Sequence, residues 1–112
     1  MLTVQVKAWI ERDGRPVFGE GRARLLEAIE EARSLAAAAR QLGMPYRTAW
    51  KHLNAMEKGF GKKIVERKTG GARGGGCRLT DAGRKLLRGY EKFRAGLEET
   101  LEKRLRHLLD LG

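Results

Sequence analysis

Residues 34–57, SLAAAARQLGMPYRTAWKHLNAME, read as two short helices around a tight turn. Ser34 carries the hydroxyl an N-cap needs, Leu35–Leu42 forms a small-residue first helix, and Gly43 suits the left-handed backbone that ends one. Pro45 falls near the start of the second helix, where its missing N–H removes no intrahelical bond. On that helix Ala49, Leu53, Met56 and Phe60 recur at spacings of four, three and four and make one apolar stripe. Arg47, Lys51, Asn54 and Lys58 repeat the same spacing two residues out of phase. Two residues are roughly 200° of helix rotation, so this basic and amide stripe faces away from the core. The segment is a helix-turn-helix, and a free helix face of Arg, Lys and Asn is chemically suited to a DNA major groove.

The flanks complete a compact domain. Val4, Val6, Ala8 and Ile10 alternate with Gln5, Lys7 and Trp9, which is strand periodicity. Asp13-Gly14 is a hairpin turn, and Val17 and Phe18 continue into a return strand that Pro16 assigns to an edge. After the Gly19–Gly21 break, Arg22–Ala32 is a helix with Leu25, Leu26 and Ile29 on its apolar side. Lys63–Arg67 and Cys77–Leu79 read as paired strands, and five of the eight residues of TGGARGGG between them, Thr69–Gly76, are glycine. Three helices and a glycine-tipped ribbon predict a mainly α fold with small β elements, a winged helix-turn-helix. The expected division is a domain over 1–80, with hairpin 4–18, helix-turn-helix 34–58 and wing 63–79, followed by a long dimerisation helix over 81–112.

Charge points to the partner. The 112 residues carry 24 Lys and Arg against 14 Asp and Glu, a formal net charge of +10 and a pI near 10.4. Such an excess favours a polyanion, and nucleic acid over a membrane or an acidic protein. Signal-peptide and spanning-segment patterns are absent from the sequence, and one cysteine, Cys77, allows no internal disulfide, so a reducing cytoplasm is expected. With Cys77, His52 and His107 as the whole Cys and His complement, no zinc-finger ligand set exists and no metal or cofactor is expected. No nucleophile–base pair is evident, and the glycine tip lacks the Gly-Lys-Ser/Thr of a nucleotide-binding loop, so the chain is not read as an enzyme. The wing tip is instead suited to a phosphate backbone or minor groove, through bare N–H groups and Arg73.

Thr80 and Asp81 open the last helix. Leu86, Tyr90, Phe93, Leu97, Leu101, Leu105 and Leu108 step by four or three along it, an apolar seam of about six turns at 3.6 residues each. Gly83, Gly89 and Gly96 weaken the isolated helix by about 1 kcal/mol each, so packing must hold it. A second copy using the same helix is the simplest cover for the seam, and a homodimer is expected.

Ser34, Ala38-Ala39, Leu42, Met44, Leu53, Glu57, Glu66-Arg67 and Leu79–Gly83 together resemble the N-terminal domain of LysR-type regulators. Pro45–Trp50, Val65–Gly71 and Gly74–Gly76 are similar to the DNA-binding domain of the molybdate-responsive ModE-type regulators. The resemblance implies a dimeric winged helix-turn-helix transcription factor on a palindromic operator. ModE-type regulators also hold molybdate in C-terminal domains, and no positions here match those domains, so molybdate sensing is not expected of these 112 residues. From Met1 and the ending after Leu111, a stand-alone form is expected.

The expected DNA contacts are Tyr46, Arg47, Thr48, Lys51, Asn54 and Lys58 from the second helix, and Lys68, Thr69, Gly70, Gly71 and Arg73 from the wing. Trp50 is expected to pack rather than touch DNA, and His52 to be a solvated surface residue. The competing function is an architectural or protein-interaction subunit, pairing with a longer relative through the seam or binding DNA without sequence preference.

Overall fold

The computed structural model describes residues 2–68 and 76–112. Strand β1 (Ile10–Arg12) pairs antiparallel with β2 (Arg15–Phe18) across Asp13 and Gly14, whose φ values of 52° and 79° are those of a two-residue type I′ turn. Helices α1 (Glu20–Ala32), α2 (Leu35–Gln41) and α3 (Tyr46–Phe60) follow, then the antiparallel pair β3 (Val65–Lys68) and β4 (Gly76–Leu79), then α4 (Asp81–Leu108). The Ser34 hydroxyl caps α2 by accepting the Ala37 N–H at 3.1 Å, and Gly43 takes a φ of 64° after α2.

One apolar cluster holds these elements together. Phe18 from β2, Leu25, Leu26 and Ile29 from α1, Leu53 and Met56 from α3, and Leu87 from α4 are essentially inaccessible, with Ile64 closing the cluster beside the wing. The wing is joined to this core by backbone bonds. The Arg33 carbonyl accepts the Cys77 N–H at 3.0 Å, and the Ile64 carbonyl accepts the Thr80 N–H at 2.9 Å. Thr80 then caps α4, its hydroxyl accepting the Gly83 N–H at 3.0 Å while donating to the Lys63 carbonyl at 2.6 Å.

Two expectations change. The alternation over Val4–Ile10 pairs in a hairpin only from Ile10; residues 2–9 are not in a strand. They run antiparallel along α4 instead. The Ala8 carbonyl accepts from the Tyr90 hydroxyl at 2.7 Å, the Val6 N–H donates to Glu98 at 3.4 Å, and the Leu2 carbonyl accepts from Arg106 at 3.1 Å. Val4, Val6 and Ala8 are half-buried and their odd-numbered neighbours exposed, so the period of two reports one-sided packing on a helix. Tyr90, assigned by its spacing to the dimer seam, lies in the chain's own core, edge-on to Phe18 with centroids 5.1 Å apart.

His52 also differs from expectation. It is half-buried, and its Nδ1 accepts the Nε–H of Arg22 at 3.1 Å. Arg22 donates in addition to the Pro16 and Val17 carbonyls, tying β2, α1 and α3 together. Burial, and then the Arg22 charge, hold the His52 pKa below its ordinary 6.5. The unfolded chain therefore binds the proton more readily, and His52 lowers stability as pH falls through 6.5 toward the depressed native value. Urea midpoints are expected to drop between pH 7 and pH 5.5. His52→Gln, whose carbonyl can still accept from Arg22, should flatten that step; an unchanged step would assign it to other groups.

Candidate nucleic-acid interface

Helix α3 has three distinct sides, set by about 100° of rotation per residue. Ala49, Leu53 and Met56 are fully buried against the core. Arg47, Lys51, Asn54 and Lys58 are exposed and lie within about 60° of one another on the opposite side. Tyr46, first residue of the helix, is 47% exposed, and Thr48 is half-buried. Pro45 occupies the N-cap position and supplies no side-chain cap, so the first turn of α3 carries the positive end of the helix dipole without a capping side chain.

The third side of α3 meets the wing. Val65, Arg67, Cys77 and Leu79 share the inner face of the ribbon, as their register of Val65 with Leu79 and Arg67 with Cys77 requires. The Arg67 guanidinium lies 3.2 Å from the centroid of the Trp50 ring, and its Nη2 donates to the Tyr46 hydroxyl at 3.2 Å. Tyr46 and Trp50, four apart on α3, meet edge to face with centroids 6.4 Å apart. Trp50 thus packs, as expected, and its packing partner is a cation. At the other end of α3 the Glu57 carboxylate accepts the N–H groups of Ile64 and Val65, at 2.8 and 3.3 Å, which sets where the ribbon begins.

On the outer face of the ribbon Arg78 pairs loosely with Glu66 at 3.7 Å, and Lys68 is exposed at the end of β3. Thr69, Gly70, Gly71 and Arg73, expected to touch DNA, lie outside the described residues. An open hollow beside the ribbon is lined by Arg33, Lys63, Lys68, Arg78 and Arg84 with Glu30 and Glu66, and it carries the basic surface round to α1. Burial pushes the Cys77 thiol pKa up, which keeps it a thiol rather than a reactive thiolate. Among the described residues no three or more His, Cys, Asp or Glu side chains converge as a metal site, and no helix is long and apolar enough to cross a membrane.

Of the residues expected from sequence, Arg47, Lys51, Asn54 and Lys58 share one exposed side of α3, Tyr46 sits on the flank facing the wing, Thr48 is half-buried, and Lys68 lies on the outer face of the ribbon. Arg67 and Glu57 were missed as functional candidates. Strand alternation puts Arg67 on the inner face with Val65, but nothing local says which flank of α3 that face meets.

The residues expected from sequence to form a dimer seam separate along α4. Leu86 packs partly on the core and Tyr90 within it, Leu97 and Leu101 are half-buried, and Phe93, Leu105 and Leu108 are 55%, 41% and 66% exposed. The molecule is 62 Å along its longest axis against 32 and 24 Å across.

The sequence pattern of the bacterial regulatory helix-turn-helix proteins of the lysR family matches residues 21–84. The chain is similar to the molybdenum-pterin-binding protein MopA of Rhodobacter capsulatus, 38% identical over 82% of this chain and 35% of that protein. It is likewise similar to the transcriptional regulator ModE of Haemophilus influenzae, 39% identical over 80% of this chain and 33% of that protein. The chain spans about a third of the length of the curated relatives it matches. Among solved structures, the DNA-binding domain of CbnR in complex with DNA aligns with a TM-score of 0.58 and 26% identity, over 80% of this chain and 95% of that one.

Proposed function

The chain belongs to the lysR family of bacterial regulatory helix-turn-helix proteins, and from that premise we propose that it is a sequence-specific double-stranded DNA binder acting as a homodimer. The observation that carries this reading is the exposed stripe of Arg47, Lys51, Asn54 and Lys58, directly opposite a fully buried apolar stripe on the same helix. In this reading α3 enters the major groove, Tyr46 and Thr48 meet the backbone at its entering end, and Lys68 with the Thr69–Arg73 tip follows the adjacent phosphates or minor groove. The DNA-bound neighbour and the regulatory relatives support it.

The exposed Phe93, Leu105 and Leu108 supply the surface that a second copy of α4 would cover, with Leu97 and Leu101 continuing it. A two-fold pair would place two recognition helices on half-sites about one helical turn, or a multiple of it, apart. Selection from a randomised duplex pool at moderate salt tests both statements. An enriched inverted repeat is expected, and its spacing reads out the dimer geometry. Enrichment of nothing, with binding that vanishes steeply as salt rises, would leave an architectural or partner-dependent subunit.

A further inference from the structure

The contact between Arg67, Trp50 and Tyr46 lies between the two parts of the molecule that would touch DNA. Arg67 sits one residue before the end of β3, and Tyr46 is the first residue of α3. We propose that Arg67 is a specificity-setting positioning residue: stacked on Trp50 and bonded to the Tyr46 hydroxyl, it fixes the groove-entering end of α3 relative to the wing. The proposal rests on the DNA-binding reading above and adds a residue that acts through others.

The chemistry is particular to arginine. A planar guanidinium covers an aromatic face and still projects N–H groups at its rim, so one side chain can stack on Trp50 and donate to Tyr46 together. Lysine keeps the charge but offers a compact, strongly hydrated ammonium on a flexible stem, which cannot hold both contacts in one plane. Among the described residues no carboxylate pairs with Arg67; the acid of its own strand, Glu66, faces the other side and meets Arg78. The indole ring and the phenolic oxygen are therefore its partners, and its cross-strand neighbour is the buried Cys77.

Geometry gives this contact leverage. Tyr46 and Trp50 lie on the flank of α3 next to Arg47 and Lys51, so a tilt of the helix about its first turn moves those side chains against base edges. Bidentate base reading tolerates little displacement, whereas phosphate attraction tolerates much. Loss of the contact should then weaken sequence discrimination more than overall attraction.

The test uses the full chain with Trp9→Phe, which leaves Trp50 as the sole indole; Trp9 is exposed and outside the proposed interface. Arg67→Lys is compared with its parent in Trp50 emission without DNA, in the affinity ratio for the selected duplex over a scrambled one, and in the salt dependence of binding. The expected result is altered emission, a ratio lowered about tenfold, and an unchanged salt slope because the charge is kept. Tyr46→Phe, an exposed change that leaves the core intact, should lower the ratio in the same direction and less than additively with Arg67→Lys.

Unchanged emission would show that the stack does not form and would overturn the proposal. An unchanged ratio despite altered emission would overturn it as well. Equal weakening on the selected and scrambled duplexes would make Arg67 a phosphate contact instead of a positioning residue, which equally defeats the proposal. A parent chain with no sequence preference would sink the underlying reading and this one together; a parent with a preference that Arg67→Lys retains sinks this one alone.

Discussion

Gly83→Ala is expected to destabilise the domain by about 2–3 kcal/mol, although alanine is the better helix former by about 1 kcal/mol. A Cβ at Gly83 would be driven into the backbone carbonyl of Ile64, lying 3.2 Å from its carbon and well inside contact distance of its oxygen. That carbonyl cannot retreat freely, because it accepts the Thr80 N–H that joins the wing to α4. Gly89 lies further along the same helix, and a Cβ there would meet nothing within 4 Å. Gly89→Ala should therefore stabilise by about 0.5–1 kcal/mol. Denaturant titration of the two variants decides the matter, and opposite signs are required. If both stabilise, the first turn of α4 is not held against Ile64 as described.

Arg47→Ala should lower affinity for the selected duplex about tenfold to a hundredfold while changing affinity for scrambled DNA far less. Bidentate arginine contacts to guanine discriminate by about 1–3 kcal/mol, and Arg47 is exposed in the first turn of α3 with no ion pair among the described residues. Lys51→Ala is the internal comparison. If Lys51 meets phosphate, its loss weakens both duplexes alike and lowers the salt slope by about one unit. Titrations at several salt concentrations separate the two behaviours. Equal losses on both duplexes for Arg47→Ala would move base reading to other residues of α3. Both side chains are exposed, so neither variant should disturb the fold, and a thermal melt checks that.

Much of the helical framework was legible because its determinants are local. The Ser34 cap, the 3.6-residue stripes of α3 and the positive-φ pair Asp13-Gly14 each act within a few residues, and each appears where its chemistry requires. The exposed basic side of α3 follows from the same stripes, since burying Ala49, Leu53 and Met56 leaves Arg47, Lys51 and Asn54 outside.

Other features depended on what each segment meets. Alternation over Val4–Ile10 specifies one apolar side, and an α-helix covers that side as well as a neighbouring strand does; α4 was the surface at hand. Spacing put Tyr90 in the seam with Phe93 and Leu97, but only the position of Phe18 and Ala8 turned it inward. Arg67 reads in sequence as one more cation near a wing. Long-range packing laid the wing's inner face along the Trp50 flank of α3, and so made that cation a link between two elements. Periodicity and caps thus determine from sequence which elements form and which side of each is apolar, because those forces act within a turn or two. Which apolar sides meet is settled by the closing of the whole core, and only the tertiary structure decides it.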